Sequence, residues 1–178
     1  MTAKPERGFK SLCVVGLGYI GLPTAAIFAN RGVQVLGVDI NQRTVDLINN
    51  GKVHIVEPDL NMLVNKAVTD GHLRAATAPA PADAFIIAVP TPFKDDHQPD
   101  LTFLQAAVES LATVIKAGDL VVIESTVPVG TTEQASTWLA NLCPGLNFPH
   151  AAGFEADVYI AHSPERVLPG RVMIELAE

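Results

Sequence analysis

Three glycines form the motif in this sequence that most directly indicates a chemical function. Gly16, Gly18 and Gly21 form the pattern G-x-G-x-x-G directly after an apolar run, and a small-residue helical segment follows them. Gly16 permits a tight turn out of a strand, Gly18 lets the backbone approach a ligand, and Gly21 lets the helix pack closely on the sheet. Because free N–H groups at a helix start attract anions, the pattern predicts a pyrophosphate site. The sequence therefore predicts a dinucleotide-binding turn.

A carboxylate completes this pattern. The run 34–39 predicts the next strand, and Asp39 ends it, about 20 residues after the first glycine, as the dinucleotide fingerprint requires. A carboxylate there accepts both hydroxyls of an adenosine ribose and repels a 2′-phosphate, which favours NAD over NADP. The alternative is that Asp39 only starts a turn or caps the helix that begins near Asn41.

The elements that must position these residues alternate along the chain. Apolar runs predict six strands, at 12–15, 34–39, 72–77, 83–89, 120–124 and 158–161. Helical spacing and start signals predict helices at 22–29, 42–50, 58–70, 101–116 and 131–142. Buried strands separated by helices indicate an α/β, doubly wound Rossmann fold, with a parallel six-stranded sheet and helices on both faces. The expected strand order is 3-2-1-4-5-6, with ligands at the carboxyl ends of the strands.

Polar turns follow the last three predicted strands. They are V-P-T-P at 89–92, E-S-T-V-P-V-G-T-T at 124–132 and H-S-P-E-R-V-L-P-G at 162–170. Each places hydroxyls or a carboxylate on the rim where the nicotinamide end of a cofactor would lie, and prolines hold such loops rigid. The alternative is that Pro, Thr and Gly are here simply loop-forming residues.

The totals of the chain narrow its class. Its 178 residues are about one domain, with 1–10 as a short or disordered segment and 11–178 as the NAD-binding domain. Hydrophobic residues make up 48% and charged residues 17%, as in ordinary globular proteins. The net charge of −7 argues against a nucleic-acid partner, and no apolar run reaches the length of about 20 residues needed for membrane insertion. Cys13 and Cys143 lack metal-binding spacing, so we expect no metal and a cytoplasmic protein without disulfides.

Several motifs occur in order over nearly all of residues 10–176. They are G-L-G-Y-I-G-L-P, V-D-I-N, H-I-V-E-P-D-L, A-V-P-T-P-F-K, E-S-T-V-P-V-G-T-T and S-P-E-R-V-L-P-G. This series resembles the UDP-glucose/GDP-mannose dehydrogenase family, and most of all the branch that acts on UDP-N-acetyl-D-mannosamine. The resemblance implies oxidation of the sugar C6 hydroxymethyl to a carboxylate in two steps with two NAD. The product, UDP-N-acetyl-D-mannosaminuronate, would serve surface polysaccharide synthesis.

The resemblance also implies which residues bind the cofactor. The backbone at Tyr19 and Ile20 matches the pyrophosphate contact of the family, and Asp39 matches its ribose ligand. Thr91 and Thr132 match further cofactor-contacting positions.

Other matches concern the substrate and the chemistry. Thr126 matches a threonine that helps to hold a catalytic water, and Glu165 matches a glutamate that acts as acid and base in thioester hydrolysis. Arg166 and Val167 begin a loop that in relatives lies along the nucleotide-sugar, here a UDP-sugar. The alternatives are that Thr126 only caps a turn and that Glu165 is a solvated loop carboxylate.

One part of the family pattern is missing. Members form a covalent thiohemiacetal on a thiolate in a G-x-C-x-P-K-D-type motif, which this sequence lacks. We therefore expect an amino-terminal part of a longer homodimeric enzyme, without its central helix and UDP-sugar domain and inactive alone. A UDP-glucose-type enzyme, another dehydrogenase class and a non-catalytic NAD-binding regulatory module remain alternatives.

Overall fold

The computed structural model describes residues 9–94, 98–152, 155–164 and 170–175. Its strands are β1 (Ser11–Val15), β2 (Gln34–Val38), β3 (Leu73–Ala76), β4 (Ala84–Ile87), β5 (Leu120–Ile123) and β6 (Tyr159–His162). They form one parallel sheet in the order β3-β2-β1-β4-β5-β6. The predicted fold class and strand order are therefore confirmed.

Helices connect the strands and cover the sheet. They are α1 (Gly21–Asn30), α2 (Gln42–Asn49), α3 (Leu60–Thr69), α4 (Thr102–Ser110), α5 (Thr131–Leu142), α6 (Pro149–Ala152) and α7 (Val172–Glu175). The sequence did not predict α6 and α7, because four residues are too few to show a helical period. Within the described part of the chain, no helix has the length and apolar character of a membrane span.

Two predicted elements extend further than the observed ones. The predicted helix 101–116 ends at Ser110, because the chain tightens there into a short 3-10 turn at Leu111–Thr113. The predicted strand 83–89 ends at Ile87, three residues before Pro90. Apolar character continues past both ends, since those residues still pack on the core, so composition alone misplaces the boundary.

The core lies on both faces of the sheet. Val15 packs in the cluster that includes Leu139 of α5, whereas Val14 packs in the cluster that includes Leu22 of α1. Successive residues of β1 thus point to opposite faces, and both faces are covered by helices. The turns after β4 and β5 place polar side chains at the carboxyl ends of these strands.

One carboxylate joins the amino ends of two neighbouring strands, β1 and β4. Asp83 Oδ2 accepts hydrogen bonds from Lys10 N at 2.9 Å, Ser11 N at 2.9 Å and Ser11 Oγ at 3.0 Å. The amides of Lys10 and Ser11 hold the pKa of the Asp83 carboxyl below its ordinary value of 3.8. The charge on Asp83 therefore stabilises the start of β1 against β4.

We expect Asp83→Asn to lower the free energy of unfolding by about 1–3 kcal/mol, the range for losing hydrogen bonds to a charged group. Because the folded pKa is depressed, the stabilisation is complete above pH 3.8 and is lost as the pH falls through the folded pKa. Urea unfolding of both proteins over a pH series tests this. The matched control is Asp46→Asn, at an exposed side chain whose carboxylate accepts from Gln42 Nε2 and from no other described residue. A constant difference at all pH values would contradict the electrostatic explanation.

Candidate cofactor-binding site

Two glycines of the turn are required by close contacts. Gly16 has a φ of 94°, and a Cβ there would lie 2.5 Å from the carbonyl oxygen of Ala88. A Cβ on Gly21 would lie 1.8 Å from the carbonyl oxygen of Gly16 itself. No side chain fits at either position, so these glycines allow α1 to begin directly against the end of β1.

The middle glycine faces open space. A Cβ on Gly18 would have no neighbouring atom within 4 Å, and α1 begins after Ile20 without a side-chain cap. Within the described part of the chain, the amides of Tyr19 and Ile20 donate to no backbone or side-chain acceptor. Open space beside free donors at a helix start fits a pyrophosphate.

Asp39 lies immediately after β2 and beside the glycine turn. Its Oδ2 accepts from Leu17 N at 3.2 Å, and its Oδ1 accepts from Asn41 N at 2.9 Å. Both oxygens are thereby oriented, and each carboxylate oxygen keeps a second lone pair for another donor. This arrangement fits the two hydroxyls of a ribose. The capping alternative is wrong, because Asn41 rather than Asp39 caps α2 by accepting from Arg43 N. The turn alternative stays open, because Asp39 holds the turn before the helix through Asn41 N.

A cleft of about 260 Å³ opens at the carboxyl edge beside the turn. Its walls are the segments 18–20, 88–91 and 124–126. It brings together five of the predicted site residues, which are Gly18, Tyr19, Ile20, Thr91 and Thr126. Thr132, in the first turn of α5, does not line this cleft.

Side-chain hydrogen bonds connect two of the segments that line the cleft. Thr91 Oγ1 donates to the carbonyl oxygen of Thr126 at 2.7 Å, and the buried Ser125 Oγ donates to the carbonyl oxygen of Val89 at 2.7 Å. The turns after β4 and β5 are therefore joined by side chains of both. The Thr91 hydroxyl can still accept a hydrogen bond from a ligand, because donation uses only its proton.

The sequence predictions placed Glu124 in a turn on this rim, but named neither Glu124 nor Glu57 as a site residue. Glu124 lines the cleft, and its Oε2 accepts from Oγ1 of Thr24 in α1 at 3.3 Å. Its place at the end of β5 was the available signal. Glu57 lies in the turn before α3, where nothing in the local pattern distinguishes it from a helix-start residue.

Three of the predicted site residues, Glu165, Arg166 and Val167, lie outside the described residues. Their roles stay predictions, as do the roles of the residues that the cleft brings together.

A parallel sheet in this order, a glycine turn that opens onto a helix start and a carboxylate after the second strand together define a Rossmann-type dinucleotide-binding domain. The chain matches the model of the UDP-glucose/GDP-mannose dehydrogenase family, NAD binding domain, over residues 10–178. It belongs to that family, and its cofactor is NAD.

Individual relatives agree with this assignment. The chain is 62% identical over 170 residues to an NDP-N-acetyl-D-galactosaminuronic acid dehydrogenase of Ralstonia nicotianae, covering 96% of this chain and 40% of that protein. It is 60% identical over 168 residues to the UDP-N-acetyl-D-mannosamine dehydrogenase of Escherichia coli, covering 94% of this chain and 40% of that protein. This sequence thus spans about 40% of the length of these relatives.

A solved structure shows the same fold. The UDP-N-acetyl-mannosamine dehydrogenase Cap5O from Staphylococcus aureus superimposes with a TM-score of 0.84 at 42% sequence identity. The match covers 93% of this chain and 39% of that one.

Adding a methyl group should have different effects on stability and NAD binding at Gly18, which faces open space, and at Gly21, which contacts the backbone. We expect Gly18→Ala to leave the melting temperature unchanged but to weaken NAD binding, because its Cβ enters only the space for the pyrophosphate. Gly21→Ala should lower the melting temperature strongly, because its Cβ meets a backbone carbonyl. Thermal unfolding with and without NAD separates the two. Full NAD affinity in Gly18→Ala would mean that the pyrophosphate lies elsewhere.

Asp39→Ala should weaken NAD binding by about 1–3 kcal/mol, the cost of losing hydrogen bonds to a charged acceptor. The parent should bind NAD more tightly than NADP, and the variant should narrow that difference, because the carboxylate no longer repels the 2′-phosphate. Titration calorimetry with both cofactors measures this, with Asp46→Ala as control. Equal affinities of the parent for both would refute the role of Asp39.

Proposed function

We propose that this chain is the NAD-binding part of a nucleotide-sugar 6-dehydrogenase that oxidises UDP-N-acetyl-D-mannosamine to UDP-N-acetyl-D-mannosaminuronate with two NAD. The observation that carries the proposal is the identity of 60% to the Escherichia coli enzyme named for that sugar, over 94% of this chain. The cleft beside the glycine turn supports it, since it leaves room for a nicotinamide at the strand ends.

The choice of sugar is the finer part of the proposal. The Ralstonia relative, named for an N-acetyl-D-galactosaminuronic acid, is as similar to the chain as the Escherichia coli one. A solved UDP-glucose dehydrogenase from Pyrobaculum islandicum is only 31% identical. An N-acetylated hexosamine is therefore the favoured substrate class, and UDP-glucose is the alternative.

Residues of this chain hold and orient the cofactor in this proposal. The amides of Tyr19 and Ile20 bind the pyrophosphate, and Asp39 binds the adenosine ribose. Thr91 and Thr132 contact the rest of the cofactor. When bound, NAD accepts a hydride in each of the two oxidations.

The remaining predicted residues face the substrate in this proposal. Thr126 holds a catalytic water at the cleft, and Glu165 acts as acid and base toward it. Arg166 and Val167 lie along the UDP-sugar. We propose these roles from their match to the family motifs.

Neither cysteine of this chain suits covalent catalysis. Cys13 is fully buried in β1, and burial raises the pKa of its thiol to about 11. Cys143 is half-buried, burial raises its pKa, and its Sγ contacts the carbonyl oxygen of Ala112 at 3.5 Å. A nucleophilic cysteine needs a lowered pKa and an approach to the substrate. We infer that the nucleophile lies in a part of the complete protein that corresponds to the remaining length of its relatives. We also propose that the complete protein is a cytoplasmic homodimer.

Residues 1–178 alone should bind NAD and form no NADH from UDP-N-acetyl-D-mannosamine, because no thiolate faces the cleft. The complete protein encoded by the gene should form two NADH for each sugar. Calorimetry measures binding, and NADH absorbance measures turnover with UDP-N-acetyl-D-mannosamine, UDP-N-acetyl-D-galactosamine and UDP-glucose in parallel.

Each outcome of this panel has a separate meaning. Steady NADH formation by residues 1–178 would place the nucleophile in this chain and refute our inference. Turnover of UDP-glucose alone by the complete protein would refute the proposed sugar. NAD binding without turnover of any nucleotide sugar by the complete protein would indicate a non-catalytic NAD-binding module.

A further inference from the structure

Glu57 is a buried carboxylate that lies outside the walls of the cleft. Only 7% of the residue is exposed. Its Oε2 accepts a hydrogen bond from Gly170 N at 2.9 Å, and its Oε1 accepts one from Val172 N at 2.8 Å. One side chain thus binds two backbone amides of a segment more than a hundred residues further along the chain, in the range 170–172.

The chemistry of these two contacts requires a carboxylate. Both partners are N–H donors, so the side chain must present two acceptor oxygens. Glutamine would present one oxygen and one NH₂ group, and that NH₂ group would face a backbone N–H. Among the ion pairs of the described residues, none involves Glu57, whereas two backbone amides donate to its buried carboxylate.

The residue before it contacts the cofactor turn. Tyr19 Oη donates to the carbonyl oxygen of Val56 at 3.1 Å, and Tyr19 itself lines the cleft. Desolvation and the neighbouring Glu57 carboxylate raise the pKa of the Tyr19 phenol. Residues 56 and 57 therefore lie between the glycine turn and the segment 170–172.

Both ends of this connection are anchored. Val172 is fully buried, and α7, which it begins, packs against α1. On the other side, Asp59 adopts a φ of 62°, and the next residue, the fully buried Leu60, begins α3. Glu57 is thus held by the core on one side and holds a packed segment on the other.

We propose that Glu57 is a positioning residue of the dehydrogenase reaction, which fixes the segment 170–172 beside the glycine turn and so sets the place of the nucleotide sugar relative to NAD. This inference rests on the proposed function. Asp39 and the glycine turn can hold the cofactor without Glu57. The segment that Glu57 holds returns from the carboxyl end of β6, the edge at which a substrate must meet the nicotinamide. Its loss should therefore affect the sugar more than NAD.

The test uses the complete protein with Glu57→Gln, Glu57→Asp and the control Glu109→Gln. Among the described residues, the Glu109 carboxylate bonds only to Gln105 on α4. In Glu57→Gln, kcat/KM for the nucleotide sugar should fall by about ten- to a hundredfold, as expected for a displaced substrate. The NAD dissociation constant should not change. Glu57→Asp keeps two acceptor oxygens and should recover part of the loss. Hydrogen–deuterium exchange of the peptide that contains residues 170–175 should become faster in Glu57→Gln alone.

The outcomes distinguish this inference from the proposed function. If the parent forms no NADH with any nucleotide sugar, the proposed function fails and this inference falls with it. If the parent turns over and Glu57→Gln matches it in kcat/KM, only the positioning role is overturned. Equal losses of NAD affinity and sugar turnover, together with a lower melting temperature, would mean that Glu57 acts on the fold as a whole. Unchanged exchange at 170–175 would overturn the contact itself.

Discussion

The contact on which the site depends is the approach of α1 to the end of β1. Because Gly21 lies so close to the Gly16 carbonyl, the helix begins at the edge of the sheet rather than above it. This places the free amides of the first turn next to the ends of β4 and β5, where the cleft opens. A side chain at Gly21 would move the whole helix start. The position of the candidate anion-binding amides therefore depends on the missing side chains at Gly16 and Gly21.

Three carboxylates of this domain share one way of being held. Asp83, Asp39 and Glu57 each accept hydrogen bonds from backbone amides, with no lysine or arginine side chain in those contacts. An amide fixed by the main chain has no rotamers to lose, so it orients a carboxylate more firmly than a flexible cation does. Asp83 uses this at the amino edge to join two strands. Asp39 and Glu57 use it at the carboxyl edge, where orientation toward a ligand or a segment matters.

The sequence predicted those parts of the structure that depend on local pattern. Strand order, five helices and the position of Asp39 followed from apolar runs, glycine spacing and turn residues. Glu57 could not be found in this way, because its partners at 170 and 172 are distant in sequence and offer only backbone amides, which any residue carries. Glu124 had a signal in its position at a strand end, but its bond to Thr24 depends on how α1 packs. Patterns thus predict elements, whereas contacts between elements need the packed fold.

Similarity to relatives named for different sugars follows from what this domain contacts. In the function we propose, nearly all the site residues described here face the cofactor, which would be the same molecule whichever sugar is oxidised. Constraints on the glycine turn, Asp39 and the joined turns after β4 and β5 therefore do not change with the sugar. Identities of 62% and 60% to relatives with two different sugar names are what a cofactor-binding surface should give. If our inference about Glu57 holds, a change of sugar should act first on the segment 170–172 that Glu57 binds.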